Sequence, residues 1–248
     1  MLTQLKSNSH VICKGPKDKG TIFEEPLLRF LTLSFHSKEI YIVTPWISTF
    51  EFKSQKLIYY PYVSSAKVFD ILMALAKNGV KVFIATRCFD FLDYDLLYLV
   101  FTIANHNHTA ILDELKHYVK DNIRDIIWRA EALTKLVKGK NTNVRFDLEQ
   151  RLHSKIYIND FMVITGSLNF TYSAMFRNYE CINIIYRDED IESYNYLYRY
   201  SRELLKHLLE YSECEKAILD RFAKIINVRF TSLEELMEFL REDVLRKL

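Results

Sequence analysis

Between His153 and Asn169 the chain carries an imidazole, an ammonium, a hydroxyl and a carboxamide at short intervals: His153-Ser-Lys155, then Asp160, then Gly166-Ser167-Leu-Asn169. These are groups suited to holding and attacking a phosphodiester. A neutral imidazole is a nucleophile and its protonated form an acid. A lysine, a hydroxyl and an amide can share the charge of an oxyanion. Side chains two apart on a strand share a face, so His153 and Lys155 are expected to project together. Ser167 and Asn169 repeat that spacing after the next strand. The imidazole needs a partner on its other nitrogen to set its tautomer, and Glu180, in the strand that follows, is the candidate.

The elements that must position these groups can be read from periodicity. Residues 153–158 and 161–165 read as two strands joined by Asn159-Asp160, a good hairpin turn, which would bring the four side-chain tips together. From Phe170 onward the pattern looks helical, so Asn169 is expected near a helix start, where free N–H groups favour an anion. Upstream, 10–14 reads as a strand, 22–35 as a helix, 39–44 as a strand stopped by Pro45, and 50–61 as a loop. Residues 66–77 read as a helix closed by Asn78-Gly79, and 80–86 as a buried strand. That strand–helix–strand succession implies a right-handed crossover with parallel pairing. Residues 89–139 read as a mostly helical insertion, a candidate lid or specificity element. Strands follow at 144–146 and 179–186, then one long helix or two over 189–226. A terminal helix has Ser232-x-x-Glu235 as its capping box and Leu233, Leu236, Met237, Leu240 and Val244 as an apolar stripe for the core. The expected organisation is one α/β unit over 1–226, with the insertion inside it, and a C-terminal helical tail over 227–248.

Composition sets the bounds. Hydrophobic residues make up 49% of the 248, enough for a sizeable core, while a formal net charge of +2 means that any basic surface must be local. The cysteines, Cys13, Cys88, Cys181 and Cys214, lack the spacing of a zinc site. Cys88 and Cys181 lie in apolar runs and are expected as buried thiols. The N-terminus shows no apolar leader and no run is long enough to span a bilayer. The expectation is a soluble cytoplasmic protein without membrane insertion.

His153-x-Lys155-x4-Asp160 followed by Gly166-Ser167-x-Asn169 resembles the HKD signature of the phospholipase D superfamily. The likeness extends from about residue 11 to 205, leaving out the insertion and the tail. It implies that family's mixed β-sheet flanked by helices. It also implies a two-step reaction, in which His153 forms a phosphohistidine and a second histidine first protonates the leaving oxygen and then activates water. Lys155 and Asn169, supported by Ser167, would stabilise the charge, and Glu180 would orient the histidine. Asp160, at the turn, and Gly166 are assigned structural roles. No metal and no cofactor are implied.

The chain has one such motif. His36-Ser37-Lys38 is not followed by a Gly-Ser-x-Asn, and His106-Asn107-His108 lacks the surroundings of a metal nuclease. Two histidines therefore imply a homodimer with one His153 from each subunit at the axis. Single-motif dimers of the family are mostly nucleases, so the leading expectation is a metal-independent endonuclease acting on DNA, with RNA possible as substrate. Lys140 and Arg145, with Lys135 and Lys138 beside them, and Arg177 are the candidate phosphate contacts. Phe170, Tyr172, Phe176 and Tyr179 are assigned to core packing or base stacking. The alternatives are a phospholipase or phosphatidyl transferase, and a non-catalytic module binding phosphate or nucleic acid.

Overall fold

The structure is a computed structural model that describes residues 10–15, 22–53, 65–88 and 113–247. His106-Asn107-His108 and the first half of the expected insertion lie outside the described residues.

Strands β1 (His10–Cys13), β2 (Glu39–Val43), β5 (Lys81–Arg87), β6 (Thr142–Asp147), β7 (Ile156–Ile158), β8 (Met162–Gly166) and β9 (Cys181–Tyr186) form a seven-stranded sheet in the order β1-β9-β8-β7-β2-β5-β6. β2, β5 and β6 run parallel. The other neighbours pair antiparallel, so the sheet is mixed, as expected. β2 and β7 are covered on both faces and read as near-continuous apolar runs for that reason. Helix α2 (Val68–Lys77) makes the crossover from β2 to β5, and its chain reversal uses Gly79 at φ +90°, a conformation open to glycine.

Alternation along β2 sends Ile40 and Ile42 to one face and Tyr41 and Val43 to the other. The first face carries α1 (Glu24–Ser34), α2, α3 (Asp113–Val137), α6 (Tyr211–Ile226) and α7 (Leu233–Phe239). The second carries α5 (Ile191–Lys206), through Tyr194, Leu197, Tyr198, Leu204 and Leu205. A five-residue helix, α4 (Tyr172–Phe176), follows the motif.

Several expectations need correction. Residues 51–53 are not loop: β3 (Glu51–Lys53) pairs antiparallel with β4 (Ser65–Lys67) as a small separate sheet, which delays the start of α2. The described half of the insertion, α3, is no detached lid. It buries Val119, Ile123, Ile127, Ala130, Leu133 and Leu136 in the main core, so deleting it would remove core. The apolar stripe of 233–244 lies in that same core, as expected. Ser232 caps α7 by accepting from the Glu235 amide, but Glu235 reaches back to Thr231 rather than to the cap residue.

The cysteines are not thiols. Cys13 and Cys181 are register partners across β1 and β9 and are disulfide-bonded; Cys88, just past β5, is bonded to Cys214 on α6. The partners are 168 and 126 residues apart, so only the assembled sheet brings them together. Disulfides persist chiefly in oxidising compartments, which weighs against the cytoplasmic expectation. Among the described residues no helix is long and apolar enough to cross a membrane.

Candidate active site

The registers place the motif at one end of the sheet. Val43 of β2 pairs with Ala85 of β5 and with Ile156 of β7; Ile156 pairs with Thr165 of β8, and Gly166 with Ile182 of β9. Lys155 therefore enters β7, Ser167 leaves β8, Glu180 enters β9 and Arg87 closes β5 at the same edge.

His153 and Lys155 lie in the segment just before β7 rather than within the strand, yet they still project together. The Lys155 ammonium stands 3.1 Å from Nδ1 of His153 and donates to its carbonyl oxygen at 2.7 Å. His153 is exposed; Lys155 is 7% exposed. Burial pushes the Lys155 ammonium below the usual lysine range. The negative charge of Glu180 opposes this shift and the positive charge of Arg87 adds to it.

The turn from Gly166 to Phe170 is held from several sides. The buried Tyr157 hydroxyl donates to the Leu168 carbonyl at 2.5 Å, and burial raises its pKa, so the phenol stays protonated and donating. The Phe170 amide donates to Thr44 Oγ1 at 3.2 Å, and the Ser48 amide to the Phe170 carbonyl at 2.9 Å. Gly166 has φ +144°, and a Cβ there would sit 2.2 Å from the Cys181 carbonyl oxygen, so a side chain is excluded at this position. The Ser167 hydroxyl accepts from the Cys181 amide at 2.9 Å and donates to the Cys181 carbonyl at 3.4 Å, which ties it to β9. The Asn169 amide oxygen is buried and has no hydrogen-bond donor among the described residues. The α4 helix has only five residues and its Ala174 amide is taken by the Thr171 hydroxyl, so the expected anion site at a helix start is not built here.

Glu180 is 8% exposed and reaches the site through its charge on Lys155. Its carboxylate accepts from Asn178 Nδ2 at 3.4 Å, and the described residues show no hydrogen bond between Glu180 and His153. The imidazole contact expected of Glu180 is made by Lys155 instead.

Asp160 stands at the opposite end of β7. Its carboxylate accepts the Lys38 amide at 2.8 Å, and its own amide donates to Ser37 Oγ at 3.2 Å. It thus pins the β7–β8 turn to the His36-Ser37-Lys38 segment, roughly 15 Å along the strand from Lys155.

The expected basic cluster disperses. Lys140 precedes β6, at the sheet end opposite the motif, because β6 runs parallel to β5. Arg145 is held in an ion pair with Glu210 at 2.9 Å, and Lys138 pairs with Glu234 at 2.8 Å. Arg177 does stay beside the motif, exposed, with its guanidinium 5.3 Å from the Tyr172 ring. Phe170 and Phe176 pack in the core, while Tyr172 and Tyr179 are exposed.

Sequence reading missed Arg87, whose Nε donates to the Leu152 carbonyl at 2.8 Å, one residue before His153. The signal was available: a cation closing a buried parallel strand lies where α/β sheets bind ligands.

Residues 47–200 match the family model described as cardiolipin synthase, PLD-like domain. Among solved structures, NucT from Helicobacter pylori is similar at 16% identity, covering 82% of this chain and 98% of that one, with a TM-score of 0.47. Nuc from Salmonella typhimurium, a phospholipase D family member, shares 16% identity over 82% and 98% with a TM-score of 0.42. Phosphatidylserine synthase from Haemophilus influenzae shares 13% identity over 94% of this chain and 45% of that one, with a TM-score of 0.47. No curated protein matches the chain.

Proposed function

Because this chain belongs to the phospholipase D superfamily of phosphodiesterases, we propose that it is a metal-independent endonuclease that hydrolyses DNA through a phosphohistidine on His153. The observation that carries this reading is the exposed His153 ring set against the buried Lys155 ammonium. An incoming phosphate anion outcompetes neutral imidazole for that ammonium. Lys155 then neutralises a phosphate oxygen, and the ring is released to attack.

In the first step His153 forms a bond to phosphorus, the bond to the leaving oxygen breaks, and that oxygen takes a proton from the partner subunit's His153. In the second step that imidazole removes a proton from water. The hydroxide adds to phosphorus and the phosphorus–nitrogen bond breaks, which restores both rings. Asn169 contributes its amide to the pentacovalent charge, Ser167 braces the turn through β9, and Glu180 acts through its charge on Lys155. The donor set of imidazole, ammonium, hydroxyl and amide supports chemistry without a metal, and the single motif supports a homodimer. The exposed Arg177–Tyr172 pair beside the motif supports a nucleic-acid strand as substrate.

A second reading, phospholipid cleavage or phosphatidyl transfer, is favoured by the lipid enzyme that names the matching family. One experiment separates them. Single-stranded DNA, duplex DNA, RNA and cardiolipin vesicles are incubated with protein in EDTA, beside His153→Ala. DNA cleavage by wild type alone is expected. Cleavage confined to vesicles selects the second reading, and activity abolished by EDTA defeats the metal-independent mechanism. Sedimentation velocity tests the dimer; a fully active monomer would defeat it.

A further inference from the structure

The two disulfides sit in opposite surroundings. Cys88 and Cys214 are both fully buried, whereas Cys13 and Cys181 are both exposed. Thiol–disulfide exchange needs an attacking thiolate to reach a sulfur, so exposed bonds are the labile ones. The exposed bond is also the one beside the motif. The Cys181 carbonyl accepts the Ser167 amide at 2.9 Å, and the Cys181 amide donates to the Ser167 hydroxyl at 2.9 Å. The same carbonyl oxygen fills the space that a Cβ on Gly166 would need. Both backbone groups of Cys181 thus point to β8, away from β1. Toward β1, Cys13 and Cys181 face each other at a Cα separation of 4.1 Å, the short spacing of a non-hydrogen-bonded antiparallel pair. At this position the disulfide alone ties the two strands. The adjoining backbone bond runs from the Lys14 amide to the Glu180 carbonyl at 2.8 Å. β1 is the outer strand of the described sheet and three of its four residues are exposed, so burial holds it weakly.

We infer that Cys13–Cys181 is a redox modification site: an external dithiol opens this bond, leaves Cys88–Cys214 closed, and slows catalysis by loosening the strand that holds the motif turn. The inference rests on the reading of His153–Asn169 as the catalytic centre and adds regulation to it, whichever phosphodiester is cut. A thiolate of the dithiol attacks one sulfur, the Cys13–Cys181 bond breaks, and a mixed disulfide forms. The second thiol of the reagent then displaces the protein sulfur. The reagent leaves as its own disulfide, and its two protons end on the Cys13 and Cys181 thiols. β1 is then held by backbone bonds alone and frays as an outer strand does. Cys181 loses its anchor on that side, and Ser167, gripped by the Cys181 amide and carbonyl, loses its fixed place in the turn. Cys181 is a positioning residue in this scheme, acting through Ser167.

The test uses folded wild type and dithiothreitol. After mild reduction, alkylation read by mass spectrometry should mark Cys13 and Cys181 and leave Cys88 and Cys214 unmarked. On bis(p-nitrophenyl) phosphate and on single-stranded DNA, kcat should fall by about 3- to 10-fold, the scale of one lost hydrogen bond. KM should stay nearly unchanged, and re-oxidation should restore kcat. Amide exchange at Ser167 should accelerate on reduction. Cys13→Ser with Cys181→Ser should show the reduced rate from the start and no response to dithiol. If that variant misfolds, the reversible change in wild type decides. Failure to mark Cys13 and Cys181, marking of all four cysteines together, or an unchanged kcat once Cys13 and Cys181 are marked overturns the switch. A wild type inactive on every phosphodiester before reduction overturns the catalytic reading instead, and the alkylation and exchange arms still decide whether the bond governs the turn.

Discussion

The Lys155 ammonium lies 3.1 Å from Nδ1 of His153 and 2.7 Å from that residue's own carbonyl oxygen, closing a small ring across the motif. An ammonium can only donate, so Nδ1 accepts and the neutral imidazole carries its proton on Nε2. In unliganded His153 the Nδ1 lone pair is therefore engaged by Lys155. In the proposed mechanism a phosphate anion withdraws Lys155 and frees that lone pair.

The first prediction concerns that tautomer. Nitrogen-15 spectra of the free protein at mildly alkaline pH should show the His153 proton on Nε2, and Lys155→Met should remove the preference. Lys155→Met should also lower kcat by about 100- to 1000-fold, the usual scale for losing one oxyanion donor. An Nδ1-protonated ring in the free wild-type protein would contradict the arrangement.

A second prediction follows from the sign of the Lys155 shift. In the proposed mechanism Lys155 works as the ammonium, and burial lowers its pKa, so activity should decline with rising pH below the ordinary lysine value of about 10.4. Glu180 raises that pKa and Arg87 lowers it. Glu180→Gln should move the alkaline limb of kcat/KM to lower pH, and Arg87→Gln should move it to higher pH. Shifts in the same direction for both variants would show that the limb does not report Lys155.

Gly166 provides a third. A methyl group there would meet the Cys181 carbonyl oxygen, at a φ that side chains rarely adopt. Gly166→Ala should cost about 3 kcal/mol in denaturant unfolding through strain and a broken β8–β9 register. A cost below about 0.5 kcal/mol would mean that the turn relaxes freely.

The motif turn also hangs on Tyr157. Tyr157→Phe removes the donor to the Leu168 carbonyl and leaves a buried acceptor unsatisfied. About 1–3 kcal/mol of stability should be lost, and kcat should fall more than KM changes, because Ser167 and Asn169 lose their brace. An unchanged kcat would place that brace elsewhere.

The fifth prediction is redox-linked. Cys88–Cys214 closes a span of 126 residues between β5 and α6. Cys88→Ser with Cys214→Ser should cost about 2–5 kcal/mol, read as a lower Tm that reductant no longer changes at this bond. Identical melting of wild type with and without reductant would show that the bond does not form.

Much of this chain was legible from residue order. Apolar periodicity is a local property, so the strands and helices around the motif were readable within a few residues, including the parallel β2–α2–β5 unit. That Lys155 and His153 project together was readable too, because residues two apart in an extended segment share a side. What could not be read was partnership between distant segments. Glu180 was expected on the imidazole, but the fold gives that contact to Lys155. Lys140 looked near the motif in sequence, yet the direction of β6 carries it to the far end of the sheet. Arg87 and Trp46, far upstream of His153, reach its neighbourhood because β5 and β2 end at the same edge. The two disulfides pair residues that no spacing rule connects. Sequence by itself determined which groups could do the chemistry and the local backbone that presents them, since torsion preferences and side-chain period reside in neighbouring residues. Only the tertiary structure decided which charges meet, because strand order and register are set by the burial of both sheet faces at once, and that is a property of the whole chain.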